Sequence, residues 1–176
     1  MSISVNPLAS FRLDGSVAVL TGAVLAEESV AAEIICDGFH VHPAVATAAI
    51  RAKRVGRTMA ITDGSAGAGL PVGSKVSLGG RAVTVTEDAC FLDDGTLCGS
   101  RITMDGAFRR LLRQGFTPVE ASRMCSGTQA VELGLTGQGV IAPGALADLV
   151  VLDRQLEVVA TYVGGAPAWG LAGAAA

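Results

Sequence analysis

Histidine occurs twice in this chain, at His40 and His42, and both follow Asp37 in the run Asp37-Gly38-Phe39-His40-Val41-His42-Pro43. A further carboxylate, Asp63, stands in Thr62-Asp63-Gly64. An imidazole changes its charge near neutral pH, and a carboxylate at a strand end can take a proton from water and pass it on. If the segment is extended, alternation puts His40 and His42 on one face with Val41 on the other. A lone histidine is most often a hydrogen-bonded core residue. Two on one face, preceded by an aspartate, point to a site.

Such residues need elements to hold them. Asp37 follows the short apolar run Ile34-Ile35, and Asp63 follows Met59 to Ile61. Between them, Pro43 to Arg54 reads as one helix, with Pro43 in its first turn and Arg51, Lys53 and Arg54 forming a solvated basic end that suits the helix dipole. Strand, helix and strand together make a unit of about 30 residues, the size of a parallel crossover. Chemistry in parallel α/β architectures collects at the carboxyl ends of strands, so His40, His42 and Asp63 are expected on one rim.

The rest of the chain is read around that unit. Residues 1–16 are loop-like and carry one notable charge, Arg12; Val17 to Val24 is an apolar run, and Glu27 to Ala32 reads as a brief helix. Gly64 to Leu70 is a glycine-rich loop that lacks the Lys-Ser/Thr ending of a phosphate loop. Lys75 to Leu78, Arg81 to Thr86 and Cys90 to Leu92 read as a small antiparallel excursion at about 75–92, broken by Gly79-Gly80 and Glu87-Asp88. Asp93 and Asp94 lack the positional pattern of a calcium loop. Thr103 to Gln114 has a helical apolar face, Thr117 and Glu120 form a capping box for a helix to Cys125, and another helix covers Gln129 to Leu133. Ala147 to Asp153 and Glu157 to Val163 read as strands, and 170–176 as a disordered small-residue tail.

Composition bounds these readings. The 176 residues are half apolar, enough for one core, but a closed parallel barrel typically needs about 250 residues. A net charge of -3 and a pI near 5.3 give no footprint for nucleic acid or an anionic membrane. Mean hydropathy is +0.50, yet no apolar run approaches the roughly 20 residues that span a bilayer. The opening Met1 to Asn6 lacks the regions of a signal peptide, so cytoplasmic residence is expected. Cys36, Cys90, Cys98 and Cys125 have neither zinc-site spacing nor a dense disulfide pattern and read as reduced thiols.

Asp37-Gly38-Phe39-His40-Val41-His42-Pro43, Thr62-Asp63, Ala68-Gly69-Leu70-Pro71-Val72-Gly73, Thr96-Leu97-Cys98-Gly99-Ser100 and Thr103-Met104, taken in order, resemble the N-acetylglucosamine-6-phosphate deacetylases of the amidohydrolase superfamily. The ending Pro143-Gly144 with Ala147 to Asp153 resembles the superfamily more broadly. The resemblance implies an α/β fold: the last strands and helices of a (β/α)8 TIM-type barrel over 1–140, strands of a small β-sandwich domain over 141–169, and the tail. It also implies a hydrolase of amide C–N bonds in amino-sugar metabolism, which uses a divalent metal, zinc or similar, to release acetate and glucosamine 6-phosphate.

Residue by residue, the resemblance makes Asp63 the catalytic carboxylate and His40 a substrate-binding histidine. Leu97, Cys98 and Gly99 match a substrate-lining segment. Arg12 resembles an arginine that holds the sugar phosphate in a neighbouring subunit's site, implying a homodimer, although Leu13-Asp14-Gly15 departs from the usual Glu-Pro-Gly after it. His42 and Asp37 are candidates for orienting the site from behind. The family's metal ligands, a glutamate and two histidines, fall on earlier strands, and the register set by Arg12 puts the last of them at or before Met1. No complete metal site is therefore expected in this chain. Two other readings remain open: a non-catalytic remnant or half-chain that binds sugar phosphate or a partner chain, and another amidohydrolase acting on cyclic amides.

Overall fold

The computed structural model describes residues 2–4 and 22–170, and shows a mixed α/β chain with three separate sheets. The first is parallel and three-stranded, in the order β1 (Ser2–Ser4), β2 (Ala31–Ile35), β3 (Thr58–Ile61). Ile34 lies opposite Ala60 and Ile35 opposite Ile61, so β2 and β3 end level with each other. Cys36 N–H extends the ladder by donating to the Ile61 carbonyl at 3.3 Å. Four of the five β2 residues are buried, as expected for a parallel strand covered on both faces.

The crossover from β2 to β3 is helix α1 (Pro43–Lys53), with His42 as its N-cap and Pro43 at its start. Ala46 and Ile50 of α1 join Ile34, Ile35, Cys36 and Ala60 in the main core. Ala107 and Leu111 reach the same core from α2 (Met104–Arg113), and Ala121 and Met124 from the helical stretch after it. That stretch is α3 (Pro118–Ser122), a π-helical turn (Arg123–Gly127) and α4 (Thr128–Glu132) without a break. The expected capping box is present: Glu120 N–H donates to Thr117 Oγ1, and Thr117 N–H to Glu120 Oε2 at 2.8 Å.

Between β3 and α2 the chain builds the antiparallel excursion, β4 (Lys75–Leu78), β5 (Arg81–Val85) and β6 (Cys90–Leu92). It has its own small core of Val83, Val85, Cys90 and Leu92, with Val76 and Cys98 packed against it. The third sheet is antiparallel as well: β7 (Leu149–Leu152), β8 (Val158–Val163) and β9 (Ala166–Gly170). Arg109 of α2 ties it to the main body by donating to the Leu156 carbonyl at 2.8 Å and pairing with Glu157 at 3.3 Å and Asp105 at 2.7 Å.

Several expectations are corrected. The helix before β2 covers 22–26 and not Glu27 to Ala32, because β2 already starts at Ala31. The two helices expected on either side of 126–128 are one helical stretch, since a π turn absorbs the irregularity without ending it. The basic end of α1 is not wholly solvated. Lys53 is buried, and its ammonium donates to the Val24 carbonyl at 2.7 Å and to that of Glu27. Ser2–Ser4, expected as part of a loop at 1–16, form strand β1, and residue 170 belongs to β9, whereas Arg12, the other residues of 1–16 and the tail at 171–176 lie outside the described residues.

Candidate functional site

The turn after β2 is made by Asp37. Its Oδ1 accepts the N–H groups of Phe39 at 3.0 Å and His40 at 2.9 Å, folding the chain back on itself as an Asx turn does. Gly38 supplies the positive φ of 76° that this turn needs, and a Cβ there would stand 2.5 Å from Arg110 Nη1. The other carboxylate oxygen, Oδ2, lies 2.6 Å from His40 Nδ1. Both side chains are almost wholly buried. A carboxylate on Nδ1 fixes the imidazole's orientation and leaves Nε2, which has no hydrogen-bond partner among the described residues, to meet a ligand.

This turn overturns the expectation that His40 and His42 share a face. The segment is not extended, so the period of two does not apply. His40 is buried while His42 is exposed, and His42 Nδ1 accepts the Ala44 N–H at 3.3 Å at the start of α1. Of the two residues read as orienting groups, Asp37 touches His40, and His42 serves as the helix cap.

Asp63 follows β3 as Asp37 follows β2. Its side chain is exposed, and its backbone has a φ of 48°, in the left-handed region that aspartate visits more readily than most residues. Ser100 N–H donates to the Asp63 carbonyl at 2.9 Å, and Ser100 Oγ donates to the Thr62 carbonyl. Gly64 and Ser100 form a parallel bridge, so the segment around Ser100 continues beside β3. Gly99 is required next to it. Its φ is 94°, and a Cβ would lie 2.8 Å from the Asp63 carbonyl oxygen.

Leu97, Cys98 and Gly99 run antiparallel to β6, with Leu97 bridged to Phe91. Phe91 packs edge-on against Phe39, with centroids 6.1 Å apart, and Phe39 packs edge-on against His40 at 6.0 Å. A chain of direct contacts thus runs from His40 through Phe39 and Phe91 to Leu97, and from Gly99 to Asp63. Directly opposed residues of an antiparallel pair share a face, so Leu97 falls on the Phe91 side and Cys98 on the Cys90 side, where it packs into the excursion's core. Sequence reasoning missed Phe91 and Ser100. The alternation in Cys90-Phe91-Leu92, with its buried outer pair, is the signal that could have set Phe91 apart.

No group of three or more His, Cys, Asp or Glu side chains among the described residues is placed to hold a metal ion. His40 is buried in the turn after β2 while His42 is exposed at the start of α1, so the two imidazoles do not converge with Asp63 on a three-ligand site. No described helix is long and apolar enough to cross a membrane.

The comparisons with known proteins agree with one another. The amidohydrolase family model matches residues 23–168. The N-acetylglucosamine-6-phosphate deacetylase of Lysinibacillus sphaericus is 35% identical over 147 residues, which cover 83% of this chain and 38% of that protein. A shorter relative from Escherichia coli strain K12, provisionally named an N-acetylgalactosamine-6-phosphate deacetylase, is 34% identical over 148 residues, covering 83% of this chain and 87% of the relative. Among solved structures, the N-acetylglucosamine-6-phosphate deacetylase of Thermotoga maritima aligns with a TM-score of 0.79 at 34% identity, over 86% of this chain and 42% of that one. The chain therefore spans about two fifths of the first of these relatives, 38% of its length.

Proposed function

The chain belongs to the amidohydrolase family, and we propose that it is the carboxyl-terminal part of a deacetylase that hydrolyses N-acetylglucosamine 6-phosphate to glucosamine 6-phosphate and acetate. The observation that carries this reading is that His40, held by Asp37, and Asp63 follow the level ends of adjacent parallel strands, beside the segment Leu97 to Ser100. The relatives' names supply the substrate class, and an imidazole and a carboxylate at the ends of neighbouring strands supply groups suited to the chemistry.

In this reading β1 to β3 and the segment at Ser100 are consecutive strands in the carboxyl-terminal part of a (β/α)8 barrel, which takes up 1–140, and β7 to β9 are strands of a small β-sandwich domain at 141–169. Asp63, exposed at the strand end, takes a proton from the attacking water as oxygen bonds to the acetyl carbon. It returns that proton to the amine nitrogen as the C–N bond breaks, so that acetic acid and a neutral amine are formed, and the acid then releases its remaining proton to solvent or to the amine to become acetate. His40 binds the substrate through Nε2, Leu97 and Gly99 line it, and Cys98 supports that lining from the far face. Arg12 meets the phosphate of a neighbouring subunit's substrate, which makes the working form a homodimer. The divalent ion that the family implies finds no complete ligand set among the described residues, and no step is derived through it. One observation favours a second reading, a half-length chain that binds sugar phosphate or a partner: the E. coli K12 relative is itself nearly matched in length.

The test is deacetylation of N-acetylglucosamine 6-phosphate by this chain joined to the remaining part of the Lysinibacillus sphaericus enzyme. Asp63→Asn should lower turnover about 10²- to 10⁴-fold with little change in affinity, and His40→Ala should weaken binding as well. Retention of more than about a tenth of the rate by Asp63→Asn would remove the proton-shuttle role.

A further inference from the structure

We propose that Cys90 and Cys98 are a redox site, joining in a reversible disulfide within the chain when it meets a peroxide. The two residues oppose each other across the β6 edge: the Phe91–Leu97 bridge sets the register, and Cys98 N–H donates to the Cys90 carbonyl at 2.9 Å. Cys90 N–H donates to the Gly99 carbonyl at 3.1 Å, so Cys98 and Gly99 together face Cys90 as in a β-bulge. Hydrogen-bonded antiparallel partners stand about 5.5 Å apart at Cα, within the roughly 4.4–6.8 Å that a disulfide spans. Both thiols also enter one cluster, since Cys98 packs against the core that contains Cys90.

Accessibility orders the two steps. Cys98 is half-buried and Cys90 fully buried, so Cys98 meets the oxidant first. Its thiolate attacks one peroxide oxygen; the O–O bond breaks, one water leaves, and Cys98 carries a sulfenic acid. Cys90 then attacks that sulfur, the S–S bond forms, the S–O bond breaks, and a second water leaves. Two thiols lose two protons and two electrons, and one hydrogen peroxide becomes two waters. Burial and the neighbouring Cys90 raise the Cys98 thiol above its usual value, which makes the first step slow at neutral pH. Cys36 and Cys125 behave differently: burial pushes both up to about 12, Cys36 lies in the main core and Cys125 packs against that core.

The link matters because the bridged strand carries Gly99 and Ser100, on which the Asp63 backbone rests. It does not depend on the reaction assigned to Asp63. The experiment treats the 176-residue chain with hydrogen peroxide at about pH 8.5, where an ordinary thiol is half ionised, alkylates the remaining thiols and digests with trypsin. Cys90 and Cys98 fall on one tryptic peptide, 82–101. More than half of it should be recovered unalkylated and lighter by two hydrogens, and dithiothreitol should restore two alkylatable thiols. In Cys90→Ser the Cys98 sulfenic acid should persist long enough for dimedone to trap it, with at least tenfold more adduct than in the unsubstituted chain. Two alkylated thiols on the peptide after treatment, a Cys98 link to a second chain, or equal dimedone trapping in both proteins would overturn the proposal.

Discussion

The rim built by β2 and β3 and the sheet built by β7 to β9 are both made of short apolar strands, but they are stabilised in opposite ways. At the rim, β2 is covered on both faces, and even its polar neighbours Asp37 and His40 are buried and paired. In the third sheet only Ala160 is buried, while Val150, Val163 and Trp169 are each at least 60% exposed. Apolar sequence therefore says that a strand wants cover, not that this stretch of chain provides it. The rim has its partners within the chain, whereas the third sheet is held mainly through its own ladders and the Arg109 contacts.

The largest expected effect breaks the rim. Asp37→Ala removes the carboxylate that accepts two backbone N–H groups and leaves His40 buried without its partner, so unfolding free energy should fall by about 3 kcal/mol. Urea denaturation measures it. Val150→Ala in the exposed sheet should cost less than about 0.5 kcal/mol in the same assay, and similar costs at the two positions would erase the contrast. Gly99→Ala comes next, because the new methyl meets the Asp63 carbonyl in a left-handed backbone. A loss of about 2 kcal/mol is expected. Asp63 itself sharpens the comparison: Asp63→Asn should be close to neutral for stability, since asparagine also accepts a positive φ, and Asp63→Ala should cost about 1 kcal/mol.

Much of this was legible from local rules. The strand-helix-strand unit, the three strands of the excursion and the Thr117–Glu120 capping box each depend on neighbouring residues, and they occur where periodicity and turn chemistry put them. What failed was the geometry of Asp37 to His42. A carboxylate two and three residues before the amides it accepts can fold a segment that alternation treats as straight, and it carried His42 to the surface. The aromatic path through Phe91 was illegible for another reason. It joins Phe39 in the turn after β2 to Phe91 in β6, and no window of sequence contains both.

A further, small effect concerns how the third sheet is tied to the rest. Burial acts against the charge on Asp105, but the Thr103 hydroxyl and the Arg109 guanidinium outweigh it and hold the carboxyl below its usual range. A carboxylate lowered by folding contributes stability above its unfolded value, near about 3.9, and loses it as pH falls through the folded value. Arg109 bonds to both Asp105 and the Leu156 carbonyl, so protonating Asp105 loosens the guanidinium that holds the loop before β8. Asp105 is a quarter exposed at its side chain, and such pairs contribute less than about 1 kcal/mol. Asp105→Asn should accordingly cost several tenths of a kcal/mol at pH 6 and progressively less below about pH 4, as the unsubstituted carboxyl protonates. Taking the difference between the two proteins at each pH cancels the titration of every other group they share. An Asp105→Asn cost that stays constant from pH 6 to pH 3 would show that the carboxylate's charge plays no part in holding Arg109.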